Sequence, residues 1–348
     1  MFYSRRSMIA GSLATLGTVG TGGCVAAPRA SVALRAQTTF EPFSSDFDGI
    51  VETDFPARLV STGHQWAEGP VWDKQRDRLY FTDVPRNLAW VWTATDEASV
   101  WLDPSGIKPE LAQGMREPGA NGLLISRSGE LLICNHGARA LEARDFASGR
   151  RRTLADRYDG KRFNSPNDLI EARDGAIYFT DPPYGLSGLN ASPLKEQDVN
   201  GVYRLTPDGG LTRIVDEMTF PNGVVLSPDE SWLYISQSDP DAPLIRRFAL
   251  VDGTVQKGAQ KPWFDAKPFM HEIGGLPDGM AVAATGHLFL AGPAGVLVIA
   301  PDAQCLGRIN VGLPSANCAF GEDGRTLFIT ASDRVIAVRT RINGFGMV

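Results

Sequence analysis

Short apolar segments recur along the chain, each preceded by a turn rich in Asp and Gly. Residues 79–83 read LYFTD, 131–135 LLICN, 177–181 IYFTD, 233–237 LYISQ, 288–292 LFLAG and 327–331 LFITA. Their β-branched and aromatic content predicts strands. Upstream of each stands a polar residue, then usually Gly, then an apolar pair. The six are Glu68-Gly69-Pro70-Val71, Asn121-Gly122-Leu123-Leu124, Asn167-Asp168-Leu169-Ile170, Asn222-Gly223-Val224-Val225, Asp278-Gly279-Met280-Ala281 and Asn317-Cys318-Ala319-Phe320. From each polar residue to Thr82, Cys134, Thr180, Ser236, Ala291 or Thr330 the step is thirteen or fourteen residues. Third strands are predicted at 89–93, 140–145, 201–205, 244–250, 295–299 and 334–338, and fourth strands in most units, as at 211–215.

Successive polar landmarks lie 39 to 56 residues apart. Four short strands in units of about 40–50 residues are the mark of a β-propeller. Six units predict an all-β, six-bladed propeller with four-stranded blades over residues 45–348. The last unit lacks an outer strand, and residues 57–61 are expected to supply it, leaving no open sheet edge. A pair of β-sandwiches would not explain the fixed step.

Composition narrows the class. The 348 residues include 40 acids and 34 bases, a net charge of −6. Residues 1–36 hold Arg5, Arg6, Arg29 and Arg35 and no acid, so the remainder is more acidic still. An acidic body without a basic run argues against nucleic acid as a partner. The paired arginines, followed by an uncharged stretch from Met8 to Ala27, read as a twin-arginine export signal over residues 1–36 and place the protein in the periplasm. The stretch is too rich in Gly, Ser and Thr for a membrane span. Thr21-Gly22-Gly23-Cys24 is a poor lipoprotein box, and a lipid anchor at Cys24 is the alternative to cleavage near Ala27 or Ala36. Cys134, Cys305 and Cys318 have neither CxxC nor zinc spacing and read as buried free thiols.

In a propeller the first strand of each blade lines the axis. Equivalent residues from six blades then meet at one channel, here Glu68, Asn121, Asn167, Asn222, Asp278 and Asn317. All six carry a side-chain oxygen. Two carboxylates and four amides without His or Cys make a hard-oxygen cage, best suited to Ca²⁺. The bland alternative, six turn residues capping their strands, is weakened by their common phase.

At these residues the chain resembles the family of senescence marker protein (regucalcin), gluconolactonase and luciferin-regenerating enzyme. The supporting motifs are Glu68-Gly69-Pro70, Ser165-Pro166-Asn167-Asp168, Phe179-Thr180-Asp181-Pro182-Pro183-Tyr184-Gly185, Pro221-Asn222-Gly223 and Pro277-Asp278-Gly279-Met280. Residues 161–185 look most like bacterial gluconolactonases. The resemblance implies one axial divalent metal held by Glu68, Asn167, Asn222 and Asp278. Ca²⁺ is the expected ion, with Zn²⁺, Mn²⁺ and Mg²⁺ as alternatives, and Asn167 is shared with substrate. Paraoxonases share the layout and add a second calcium, but Gly69 has no side chain where they have an acidic ligand.

The expected reaction is hydrolysis of a sugar lactone such as gluconolactone. The metal would polarise the ester carbonyl, and a base-activated water would attack. Asp278 and His136 are the two candidates for that base; histidine changes charge near neutral pH. Asn121, Asn167, Tyr184 and Asn317 are expected to contact substrate, with His64 and Trp66 as further wall residues. Asp168, pointing away from the channel, is expected to bond a neighbouring strand. No GxSxG motif or phosphate loop is present, so no covalent serine intermediate is expected. The competing readings are another lactone, an aryl ester or an organophosphate at the same site, and a non-enzymatic calcium- or protein-binding propeller. A strictosidine-synthase-like enzyme would share the architecture but not the metal set.

Overall fold

The computed structural model describes residues 38–256 and 262–347. The Arg5-Arg6 pair, the proposed signal and Cys24 lie outside them. Among the described residues no helix is long and apolar enough to cross a membrane.

Six antiparallel sheets of four or five strands follow one another along the chain. The first is Ala67–Asp73, Arg78–Asp83, Leu88–Trp92 and Ser99–Leu102. The second runs from Ala120–Ile125 to Arg151–Ala155, the third from Leu169–Glu171 to Leu211–Val215. The fourth and fifth begin with Pro221–Leu226 and Met280–Val282. The sixth joins Asn317–Gly321, Thr326–Ala331 and Arg334–Arg339 to Arg58–Thr62 from the other end of the chain. This is the expected outer strand, and it closes the ring of blades. Each innermost strand packs against that of the next blade, and Asn317–Gly321 returns to Ala67–Asp73. The chain is a six-bladed β-propeller.

The fixed step has a physical cause. Glu68 lies opposite Thr82 and Asn317 opposite Thr330 in the first hairpins of their blades. The Asn167 N–H donates to the Thr180 carbonyl at 2.8 Å, and the Asp278 N–H to that of Ala291 at 2.9 Å. Three of the partner hydroxyls then reach into the next blade. Thr82 Oγ1 donates to the Asn121 carbonyl at 3.2 Å, Thr180 Oγ1 to that of Asn222 at 2.7 Å and Ser236 Oγ to that of Asp278 at 2.6 Å. Each such bond contributes about 1 kcal/mol and sets the spacing between blades.

The glycine after the polar residue serves the same contact. A Cβ on Gly69 would lie 2.0 Å from the Asn121 carbonyl oxygen, and one on Gly279 would lie 2.0 Å from Asn317 Cγ. At these two positions only a residue without a side chain lets the next blade close in.

Apolar faces interlock between blades. Leu132, Cys134 and Leu141 of the second meet Phe179 and Tyr203 of the third. Cys134, Cys305 and Cys318 are free and buried, as expected. One strand was not foreseen. Thr39–Pro42, upstream of the expected start at residue 45, pairs with Cys305–Asn310 as a fifth strand of the fifth blade. It carries only four residues and follows a charge-poor segment, so the sequence offers little to mark it.

Candidate active site at the channel axis

Three of the polar landmarks form a chain of amides at the axis. Asn121 Nδ2 donates to Asn167 Oδ1 at 2.8 Å, Asn167 Nδ2 to Asn222 Oδ1 at 2.7 Å, and Asn222 Nδ2 to Ser238 Oγ at 2.8 Å. Ser238 in turn donates to the Pro277 carbonyl at 2.5 Å, next to Asp278. The amides thus point one way round half the ring, each with a second oxygen lone pair left over.

Glu68 is buried, and its Oε2 accepts the Gly69 N–H at 2.8 Å. Burial, with the charge of Asp168 adding to it, pushes its carboxyl up to about 8 against the opposing pull of that N–H. Burial and then the charge of Glu68 hold Asp278 well above the usual carboxylate range. Neither forms an ion pair among the described residues. Burial raises both carboxyls and the charge of Glu68 raises Asp278 further; such a pair lacks a counter-ion, and a divalent cation would supply it. The donors are oxygens throughout, so the set fits a hard cation. No three His, Cys, Asp or Glu side chains converge among the described residues. A cation here would therefore need the amide oxygens as well as the carboxylates.

His136 stands beside the ring. Its Nε2 lies 3.2 Å from Asn121 Nδ2 and 3.3 Å from Asn167 Oδ1. Its Nδ1 lies 3.4 Å from Glu117 Oε2. Gly185 packs on its ring, because a Cβ there would sit 2.8 Å from His136 Cβ. Ser165 Oγ ties the same loop down, donating to the Pro182 carbonyl at 2.6 Å and accepting the Gly185 N–H at 2.9 Å. That loop carries Tyr184, stacked on Phe220 with centroids 6.1 Å apart. The Tyr184 hydroxyl is buried without a partner, and burial pushes its ionisation far up.

Three residues expected at the site, Asn317, His64 and Trp66, do not stand at this mouth. Asn317 Oδ1 accepts the Cys318 N–H at 2.8 Å, and its side chain acts against the burial that raises Glu68 and Asp168. With Asp168 and Cys318 it lines a cavity of about 760 Å³ at the other end of the channel, bounded by Val71, Leu123, Val225 and Met280. His136 and Tyr184 do not line it. Asp168 takes the structural role expected of it, accepting the Val224 N–H of the next blade at 3.1 Å. Burial raises its carboxyl to about 7. His64 lies in the seam between the sixth and first blades, edge-on to Phe81 and Trp90. The Trp66 N–H is held by Asp83 in that seam. Glu117 and Ser238 were not foreseen, for they lie in interblade or loop segments outside the repeated phase.

Comparison with known proteins agrees with this architecture. The model of the SMP-30/Gluconolactonase/LRE-like region matches residues 66–333. A gluconolactonase of Zymomonas mobilis is 43% identical over 311 residues, covering 87% of this chain and 86% of its own. The solved gluconolactonase of Xanthomonas campestris superposes with a TM-score of 0.76 at 32% identity, covering 88% of this chain and 97% of its own. A calcium-binding regucalcin of Agrobacterium tumefaciens shares the fold at a TM-score of 0.65 and 19% identity, covering 84% and 95%. The chain belongs to the SMP-30/gluconolactonase/LRE-like family.

Proposed function

We propose that this lactonase hydrolyses a sugar lactone of the glucono-1,5-lactone type, using a divalent cation at the axis. Glu68, Asn167, Asn222 and Asp278 would hold the cation, with Ca²⁺ the ion best matched to a hard-oxygen set. The observation that carries the reading is the pair of burial-raised carboxylates Glu68 and Asp278, without an ion-pair partner among the described residues, on the same channel as His136. A scaffold has no use for such a costly pair.

When bound, the cation would act as a Lewis acid on the ester carbonyl. His136 takes a proton from the attacking water through Nε2, the ring atom facing the amide ring. It returns that proton to the alkoxide oxygen as the acyl–oxygen bond breaks, giving the open hydroxy acid. Asp278, the other candidate base, has its oxygens committed to the cation in this reading. Asn121 and Asn167 orient the lactone beside Nε2. The free hydroxyl of Tyr184 donates to a sugar hydroxyl, and its ring, backed by Phe220, forms one wall. Asn317 steadies Glu68 from the far side instead of touching substrate. Aryl esters and organophosphates are the alternative substrates.

The test is a pH-indicator assay on glucono-1,5-lactone, with spontaneous hydrolysis subtracted. Activity should vanish on chelation and return with a single added ion, Ca²⁺, Mn²⁺, Zn²⁺ or Mg²⁺. Full activity after exhaustive chelation would remove the metal from the mechanism. Metal binding without turnover on any lactone or ester would favour the scaffold. We further take Arg5-Arg6 as an export signal to the periplasm. Arg5→Lys with Arg6→Lys should leave the protein in the cytoplasm, and normal export of that variant would reject this.

A further inference from the structure

The geometry points to Glu117 as the positioning residue of the site, the group that orients His136 and fixes which of its nitrogens bears the proton; this rests on the role given to His136 above. Three observations carry it. Glu117 Oε2 is the acidic oxygen beside His136 Nδ1, 3.4 Å away, and the histidine is fully buried. The other carboxylate oxygen, Oε1, is taken by Arg116, whose Nε donates to it at 3.0 Å. Glu117 is therefore held from behind and presents its free oxygen to the imidazole. The backbone is fixed as well. The N–H groups of Arg116 and Glu117 donate to the Gly185 carbonyl at 2.8 and 3.3 Å, and Ser187 N–H donates to the Gly114 carbonyl at 2.9 Å. The interblade loop carrying Glu117 is thus fastened to the loop carrying Tyr184, with His136 packed beneath Gly185.

The consequence is electrostatic and geometric. Despite burial, the largest influence and one that raises it, the Glu117 carboxyl stays below its ordinary value, because His136 and Arg116 hold it ionised. An ionised oxygen beside Nδ1 favours the tautomer with hydrogen on Nδ1, as no other acceptor reaches that atom. Nε2 then carries the lone pair and accepts from Asn121 Nδ2, 3.2 Å away. With the other tautomer Nε2 would have no lone pair to offer a water. Glu117 makes no hydrogen bond to the axial asparagines and would contribute through His136 alone.

Four readouts test this on the metal-loaded protein. Glu117→Gln should lower kcat on glucono-1,5-lactone about 10–100-fold with KM within about twofold. Glu117→Asp, which keeps the charge on a shorter stem, should recover part of the loss. In a His136→Ala background Glu117→Gln should cost nothing further, since both act through one imidazole. Long-range ¹H–¹⁵N spectra of the imidazole should show the Nδ1–H form in the wild type and a mixture in Glu117→Gln. The spectra stand whether or not the lactone assay reports. Wild-type kcat in Glu117→Gln beside an impaired His136→Ala would overturn the inference and leave the proposed function standing. A wild-type rate in His136→Ala would remove both. A loss that persists in the His136→Ala background, or an unchanged tautomer, would reduce Glu117 to a structural residue.

Discussion

Two buried histidines, each beside a carboxylate, stand in neighbouring parts of this propeller. His64 lies four residues before Glu68, and Asp83 fifteen after it; Glu117 lies four before Asn121, and His136 fifteen after it. The partners have exchanged places. In the first pair His64 Nε2 meets Ser61 Oγ at 2.8 Å, but Nδ1 is 3.9 Å from Asp83 Oδ2. Asp83 is already occupied by the N–H groups of Gln65 and Trp66, at 3.0 and 3.2 Å. In the second pair Glu117 leaves an oxygen for the imidazole, and Nε2 opens on the axis. Asp83 is the last residue of its strand, whereas His136 follows its strand by one. That single step sends one pair into the seam and the other to the ring. Ser61, His64 and Asp83 have the composition of a nucleophilic triad, yet the carboxylate serves the backbone and aromatic rings enclose the imidazole. Composition and count alone do not separate structure from chemistry; the direction in which the pair opens does.

The largest effect should come from the ring that only the second pair faces. Asp278→Ala or Glu68→Ala should reduce lactone hydrolysis at least about 10³-fold and abolish metal binding by calorimetry. Retained binding in either would move the ligand set elsewhere. On the seam side, His64→Ala should cost about 2 kcal/mol in stability, read as a lower midpoint in urea, since it leaves a hollow between Phe81 and Trp90. An unchanged midpoint would show the seam to be indifferent to it.

A further structural carboxylate sharpens the contrast through pH. Asp181 ends a second strand, as Asp83 does, and accepts the Asn164 N–H at 2.8 Å. Burial raises it to about 7, outweighing the opposing pull of the Asn164 and Ser165 N–H groups. Its folded value lies above that of the unfolded chain, so the folded protein holds the proton more tightly. The stability this contributes is complete below about pH 4 and lost as pH rises through about 7. Denaturant midpoints at fixed metal should therefore fall from pH 5 to 8, and Asp181→Asn should flatten that slope. An equal slope in the variant would refute the assignment. The smallest effect belongs to Ser61→Ala, which should leave kcat within about twofold; a collapse would make the seam a second reactive centre.

Much of this was legible in the sequence because a propeller repeats its physics. The step of thirteen or fourteen residues is the first hairpin of each blade, and the glycine after four of the six landmarks is space the next blade needs. The strand closing the sixth blade followed from a missing outer strand. The site was legible only where it obeys the repeat. Glu68, Asn121, Asn167, Asn222 and Asp278 share a phase and meet, whereas Glu117 and Ser238 belong to connecting segments that no period marks. Asn317 has the right phase but turns toward the other cavity, because Gly279 admits its side chain alongside the fifth blade. His64 was expected at the wall and lies in the seam, since sequence proximity to Glu68 says nothing about which side of the strand the chain enters from.

The most direct test is to measure kcat for glucono-1,5-lactone with His136→Ala and His64→Ala side by side, both saturated with the activating ion. A loss of about 10²–10³-fold for His136→Ala, with His64→Ala near the wild-type rate below its own unfolding range, is the predicted result. Equal losses in the two, or a wild-type rate in His136→Ala, would contradict the claim that chemistry belongs to the pair that opens on the axis.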